Sequence, residues 1–200
     1  MKRYIFFLAL FFSSLQFLYA QNPDPHYVKD CFRKGFVIHS KDSIYYQRLF
    51  FKAFPSNFKT FARYYGRDEK THIGQPLASV PSYYFKRFFN SKAYSRKALL
   101  KKIIGVSVNG KMIHGAVAGF EEDCFNFALD HNIEFIDVLQ SFSNADIVSV
   151  WAFYFDYPNS RYRRVDYQKM RDLTARHNKP MAALITRGYE KAVAKWATHH

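Results

Sequence analysis

Residues 147–155 read Ile-Val-Ser-Val-Trp-Ala-Phe-Tyr-Phe, a run in which neither alternation nor helical spacing leaves a broad polar face. As a strand, one face would carry Ile147, Ser149, Trp151, Phe153 and Phe155, and the other Val148, Val150, Ala152 and Tyr154. As a helix, Ser149, Ala152 and Asp156 share one narrow strip of small or polar groups, and every other direction is apolar. Ser143 with Asp146 three positions on resembles a capping box in which Asp replaces Glu or Gln. The β-branched residues leave a buried strand as the alternative. The pattern predicts a short central helix that ends before Pro158.

Elsewhere the period is helical from residue 41 onward. Ile44, Tyr45, Arg48, Leu49 and Lys52 keep i, i+4 relations until Phe54-Pro55 interrupts them. Ser56 is the expected cap for Phe58, Phe61, Ala62 and Tyr65, and Gly66 is a natural stop. Residues 67–80 are polar and turn-rich. Pro81 suits a first helical turn ahead of the Tyr83–Phe89 aromatics, and Ser95 caps a run containing Leu99, Leu100, Ile103 and Ile104. Asn109-Gly110 marks a turn. Val117, Phe120, Cys124, Phe127 and Ala128 then form one stripe, and Phe135, Ile136, Leu139 and Phe142 another behind an expected Asn132 cap. The last two predicted helices carry Tyr167, Met170, Leu173 and Thr174, then Met181, Ile185, Tyr189, Ala192, Val193 and Trp196. Gly188 interrupts the final one at a cost of about 1 kcal/mol relative to Ala, which predicts close packing against a neighbour. Short links between successive helices describe an all-α, single-domain helical bundle of about seven to eight short helices over 41–198, with residues 21–40 as an extended N-terminal arm. Gly35 to Ile38 and the following residue form either a short strand or part of that arm.

The first twenty residues change the picture. Lys2 and Arg3 precede an unbroken apolar run over 5–12, and Ala20 precedes the polar Gln21. This is the layout of a secretory signal cleaved after Ala20. The run is short of the ~20 residues that an uncleaved bilayer-spanning anchor needs. Cleavage removes two of the chain's positive charges and lowers its net charge from +14 to +12. The processed product is expected to be soluble and to lie in the periplasm or outside the cell. In that oxidising setting Cys31 and Cys124, the only two cysteines, are expected to pair. The competing reading makes Cys124 a nucleophile beside His114 or His131.

Four pieces of the sequence carry a resemblance. "FPSNFKTFARYYG" at 54–66, "YYFKRFF" at 83–89, the turn at 108–112 and "VWAFYFDYP" at 150–158 resemble a biochemically uncharacterised group of small helical bacterial proteins. That group has Phe-Pro-x-x-Phe-x-x-Phe-x-x-x-Tyr-Gly and Trp-x-Phe-x-Phe-Asp-x-Pro segments, and the similarity covers roughly residues 44–196. The resemblance implies an immunity-like role for some members, on the analogy of small secreted helical proteins that protect against toxins. Lys111, Met112 and His114 stand where the group usually has an aromatic and an acidic residue.

Candidate chemistry is sparse. There is no His-Glu-x-x-His, and His131 with Glu134 supplies only two metal ligands. His114, Glu121, Glu122, Asp123 and His131 converge only if the turn at 109–115 folds back onto the following helix. Otherwise the carboxylates simply favour a helix N-terminal half and His131 its C-terminal end. No catalytic, cofactor-binding or metal-binding residue is assigned. The positive charge is the broader signal: Arg96, Lys97, Lys101 and Lys102 on one helix, with Arg161, Arg163 and Arg164 around Tyr162, form a candidate interaction surface. Such a surface attracts an acidic protein partner or an anionic envelope component. Nucleic acid is a less suitable partner for an exported chain without a known binding module. The sequence therefore predicts an exported, non-catalytic interaction protein. The alternative is a small envelope hydrolase or nuclease using His114 or His131 with a nearby carboxylate.

Overall fold

The computed structural model describes residues 23–38, 40–68 and 70–198; the export signal expected over 1–20 lies outside them. Ten α-helices follow one another: α1 Pro25–Phe32, α2 Ser43–Ala53, α3 Phe58–Tyr65, α4 Tyr83–Phe89, α5 Arg96–Ser107, α6 Ala116–Asp130, α7 Asn132–Leu139, α8 Asn144–Tyr154, α9 Ser160–Ala175 and α10 Lys179–Ala197. A π-helical turn, Arg33–Val37, continues α1. Among the described residues the only β pairing is an isolated bridge between Arg67 and Gly74, inside the expected loop. The all-α prediction holds.

The arm is a correction. Residues 25–37 are helical because Pro25 sits in a first turn, where it needs no amide hydrogen, and Asp24 accepts the His26 amide hydrogen as a cap. Val28, Cys31 and Phe32 then point inward onto α2. This segment and the division of the middle of the chain into short pieces raise the helix number above the seven or eight expected.

Local capping follows the sequence at Ser143 and Ser95 and departs from it at Ser56 and Asn132. Ser143 accepts from the Asp146 amide at 3.1 Å and so caps α8, which is a helix; its hydroxyl donates to the Asp146 carboxylate at 2.7 Å, where a full capping box would use the Ser143 backbone amide. Ser95 caps α5 through the Ala98 amide. At α3 the cap is Asn57, not Ser56, because the Asn side chain reaches the Thr60 amide at 2.9 Å. Asn132 is likewise drawn inward: its amide nitrogen donates to the Thr174 hydroxyl at 3.1 Å, tying α7 to α9.

Packing divides the aromatic core into two neighbourhoods joined by α6. On one side Phe50, Phe54, Phe61, Tyr65, Phe85 and Phe88 from α2, α3 and α4 pack together, with Phe120 of α6 only 4.4 Å from the Phe61 ring. On the other, Phe125 of α6 meets Phe155, which follows α8 and packs against Tyr167 and Tyr189. Edge-to-face and offset ring pairs of this kind add about 0.5–1.5 kcal/mol each beyond area burial.

Helix α8 is the inner element, bordered by α5, α6 and α10. Gly188 explains its contact with α10. A Cβ at position 188 would stand 2.4 Å from the Trp151 Cβ and 3.0 Å from the Ala152 nitrogen, atoms that cannot swing aside. The predicted close approach is therefore present. Gly188→Ala is expected to destabilise by roughly 1–3 kcal/mol, as overpacking does, despite the better helix propensity of Ala. Equal or greater stability in a urea titration would refute this packing argument.

The cysteine pairing is also corrected. Cys31 and Cys124 are free, buried thiols. Cys31 neighbours Tyr27 in α1, whereas Cys124 faces Tyr154 and Ser107 across α6, α8 and α5. Burial pushes both thiols up. Neither is expected to react with an aromatic disulfide reagent in the native state, and both should react once the chain is unfolded without reductant. Unfolded chains that titrate no thiol would restore the bridge.

Candidate functional site

A turn over residues 108–115 leads from α5 to α6, and its course is set by two close contacts. Asn109 takes a positive φ of 54°, with its amide donating to the Ser149 hydroxyl at 3.0 Å. Gly110 lies against the Phe153 ring, where a Cβ would come within 2.6 Å of Cγ. Asp156, only 3 % exposed, fixes the rest. Its Oδ2 accepts from the Met112 amide at 2.8 Å and from Lys195 Nζ at 2.5 Å, and its Oδ1 accepts from Trp196 Nε1 at 3.0 Å. One carboxylate thus joins the turn, the end of α8 and the end of α10.

The turn forms one wall of a cleft of about 420 Å³ between α6 and α9. Glu121 and Glu122 line it from α6, Asp166 from α9, and Tyr154, Tyr157 and Tyr162 supply aromatic surface. Tyr157 donates its hydroxyl to Asp166 Oδ2 at 2.5 Å. Burial, followed by the Asp166 carboxylate, holds the Tyr157 phenol above its ordinary range.

Glu121 is the unusual member. It is 4 % exposed and has no hydrogen-bond or ion-pair partner among the described residues. Burial pushes its carboxyl well above the ordinary carboxylate range, and the nearby Asp156, Glu122 and Asp166 charges push it the same way. A second cleft of about 430 Å³ lies on the opposite flank of α6, between Arg67, Lys86 and Asp123. Burial raises the Asp123 carboxyl to about 6 against the opposing pull of Lys86. Gly119 and Glu122 border both clefts.

The conditional convergence is half realised. Met112 brings the turn to Glu121 and Glu122, as folding back requires, but His114 is exposed and His131 lies at the far end of α6. Arg96 Nη1 approaches the His131 Nδ1 to 2.6 Å, and Glu134 pairs with Arg96 Nε at 3.4 Å instead of with the imidazole. Among the described residues no group of three His, Cys, Asp or Glu side chains is placed to hold a metal ion.

The basic surface is thinner than its sequence. Arg163 is a correction: it is 3 % exposed, donates from Nε and Nη2 to the Tyr157 carbonyl, and lies over the Trp196 ring. Lys102 is half-buried, donates to the Phe54 carbonyl at 2.8 Å and sits over the Phe51 ring, and burial pushes it down to about 8. Arg96 is engaged as described. Lys97, Lys101, Arg161 and Arg164 remain exposed, with no carboxylate partner among the described residues.

Compared with known protein families, curated proteins and solved structures, the chain matches none of them.

Proposed function

We propose that the chain is an exported, non-catalytic interaction protein that binds an acidic protein partner or an anionic envelope component through its positive exterior. An immunity-like role against an envelope-acting toxin is consistent with that reading and with the sequence resemblance. The observation that carries it is the uncompensated charge of Lys97, Lys101, Arg161 and Arg164 on a chain whose net charge is +14. Exposed cations without internal partners remain available to an external anion and raise its encounter rate through the long-range field. No helix among the described residues is long and apolar enough to cross a membrane.

The test is capture of envelope components by the processed chain at low and high salt, beside a variant with all four cations changed to Glu. Charge-led binding is lost both in the variant and at high salt, because salt shortens the reach of exposed charges. Retention of the same components under both conditions would refute the proposal. The hydrolase alternative has no comparable support, since His131 and Glu134 both face Arg96. Joint replacement of His114 and His131 is expected to leave capture intact.

A further inference from the structure

The cleft between α6 and α9 is opposite in sign to the exterior. Three carboxyl side chains, Glu121, Glu122 and Asp166, line one cavity of a strongly basic protein. Such a cluster would mean little alone, since acidic groups at a surface are commonly just solvated. The independent observation is Glu121, a polar side chain more than nine-tenths buried that borders the cavity and has no partner among the described residues. Buried polar groups normally have a hydrogen-bond partner within the protein. A ligand that enters the cavity with donors and positive charge supplies the one that Glu121 lacks.

Gly119 adds a further argument. It lies within α6 and lines the same cleft, yet a Cβ built there would meet nothing within 4 Å. Neither close packing nor a positive φ requires glycine at this position, and glycine weakens a helix interior by up to about 1 kcal/mol relative to Ala. Its effect is to leave that part of the cleft wall without a side chain.

We infer that this cleft binds a small aliphatic di- or triamine, with Glu121, Glu122 and Asp166 receiving its ammonium N–H groups and Tyr154, Tyr157 and Tyr162 packing along its methylenes. An anion would meet Glu122 and Asp166 in a cleft whose lining holds no cation. A neutral polyol would offer donors but no counter-charge for Glu122 and Asp166. A metal ion lacks a suitably placed set of ligands among the described residues. The volume, about 420 Å³, lies within the range of small-molecule sites. Ammonium groups also gain from the faces of tyrosine rings, by roughly 0.5–2 kcal/mol.

Binding is coupled to a proton. The groups facing Glu121 are Glu122 and Cys124 of its own helix, Tyr154 and Asp156 from the α8 side, Tyr157 beyond them and Asp166 of α9. Two cations that touch members of this set are already engaged: Lys195 with Asp156, and Arg163 with the Tyr157 carbonyl. In the empty cleft burial and the neighbouring carboxylate charges favour the protonated form of the Glu121 carboxyl. An entering ammonium makes the carboxylate the favoured form, and the proton leaves to solvent. This inference is independent of the proposal for the exterior, because the four outer cations take no part in it.

The test is calorimetric titration of the full chain with spermidine in two buffers of different ionisation enthalpy. Saturable binding with net proton release is expected, and Glu121→Gln should lower affinity by roughly tenfold or more and abolish the release. Gly119→Leu puts bulk into the cleft at a position where a Cβ meets nothing within 4 Å, and should also block binding while the chain stays folded by circular dichroism. The inference is overturned if spermidine binds no better than sodium at equal ionic strength. It is equally overturned if Glu121→Gln retains wild-type affinity, or if tetramethylammonium or magnesium binds as tightly as spermidine.

Discussion

Asp156→Ala is expected to lower the unfolding free energy by about 3 kcal/mol or more, measured by urea denaturation. The substitution removes one acceptor group from three donors: the Met112 amide, Lys195 Nζ and Trp196 Nε1. Charge-assisted hydrogen bonds to a buried carboxylate contribute about 1.5–3 kcal/mol each, and breaking buried pairs typically costs about 3–5 kcal/mol. The lower end applies because the Lys195 side chain is 40 % exposed and water can replace its partner. For that reason Lys195→Met alone is expected to cost about 1 kcal/mol or less. Asp156→Asn falls between the two, since an amide keeps one acceptor oxygen but turns its nitrogen toward a donor. For a chain of this length the Asp156→Ala loss corresponds to a fall in melting temperature of roughly 6–12 °C. A variant within about 1 kcal/mol of wild type would show that the turn, α8 and α10 are held together by something else.

The same carboxylate shows how much could be read before the structure was known. Asp156 lies on the small and polar strip that distinguished a helix from a strand over residues 147–155, and the strip faces the elements that Asp156 joins. The Ser143 and Ser95 caps and the tight spot at Gly188 were also legible, because each depends on neighbours a few residues away or on the cost of glycine within a helix. The N-terminal helix was missed although Val28, Cys31 and Phe32 stand at helical spacing; two nearby prolines suggested extension, yet proline is well suited to a first turn.

The two charged residues that matter most inside the protein were misplaced for one shared reason. Glu121 falls four residues after Val117 and three before Cys124, on the inward stripe of α6. Arg163 is in phase with Tyr167, Met170 and Thr174 on α9. Their phase along the helix indicated burial, and their charge suggested exposure. What the sequence could not supply is the tertiary partner that decides between them. Arg163 finds the Tyr157 carbonyl, whereas Glu121 finds nothing and faces a cleft instead.

That difference gives the second large effect a definite sign. Glu121 has its folded-state pKa raised above the unfolded value, so between those two values the folded chain binds more protons than the unfolded one. Stability from the neutral carboxyl is fully present below the unfolded pKa and is lost as pH rises toward the folded one. Within that window the limiting slope for one proton is about 1.4 kcal/mol per pH unit. Glu121→Gln keeps the shape and removes the ionisation, so its stability should exceed wild type by a margin that widens with pH above the ordinary carboxylate range. Urea titrations from mildly acidic to mildly alkaline pH measure that margin directly. A margin that is constant with pH would mean that Glu121 is ionised and solvated in the folded chain. Asp123, raised to about 6, contributes a shallower decline of the same sign in wild type and variant alike, and it cancels from the difference. The carboxyl that costs the empty protein stability as pH rises is thus the one that an ammonium ligand would relieve.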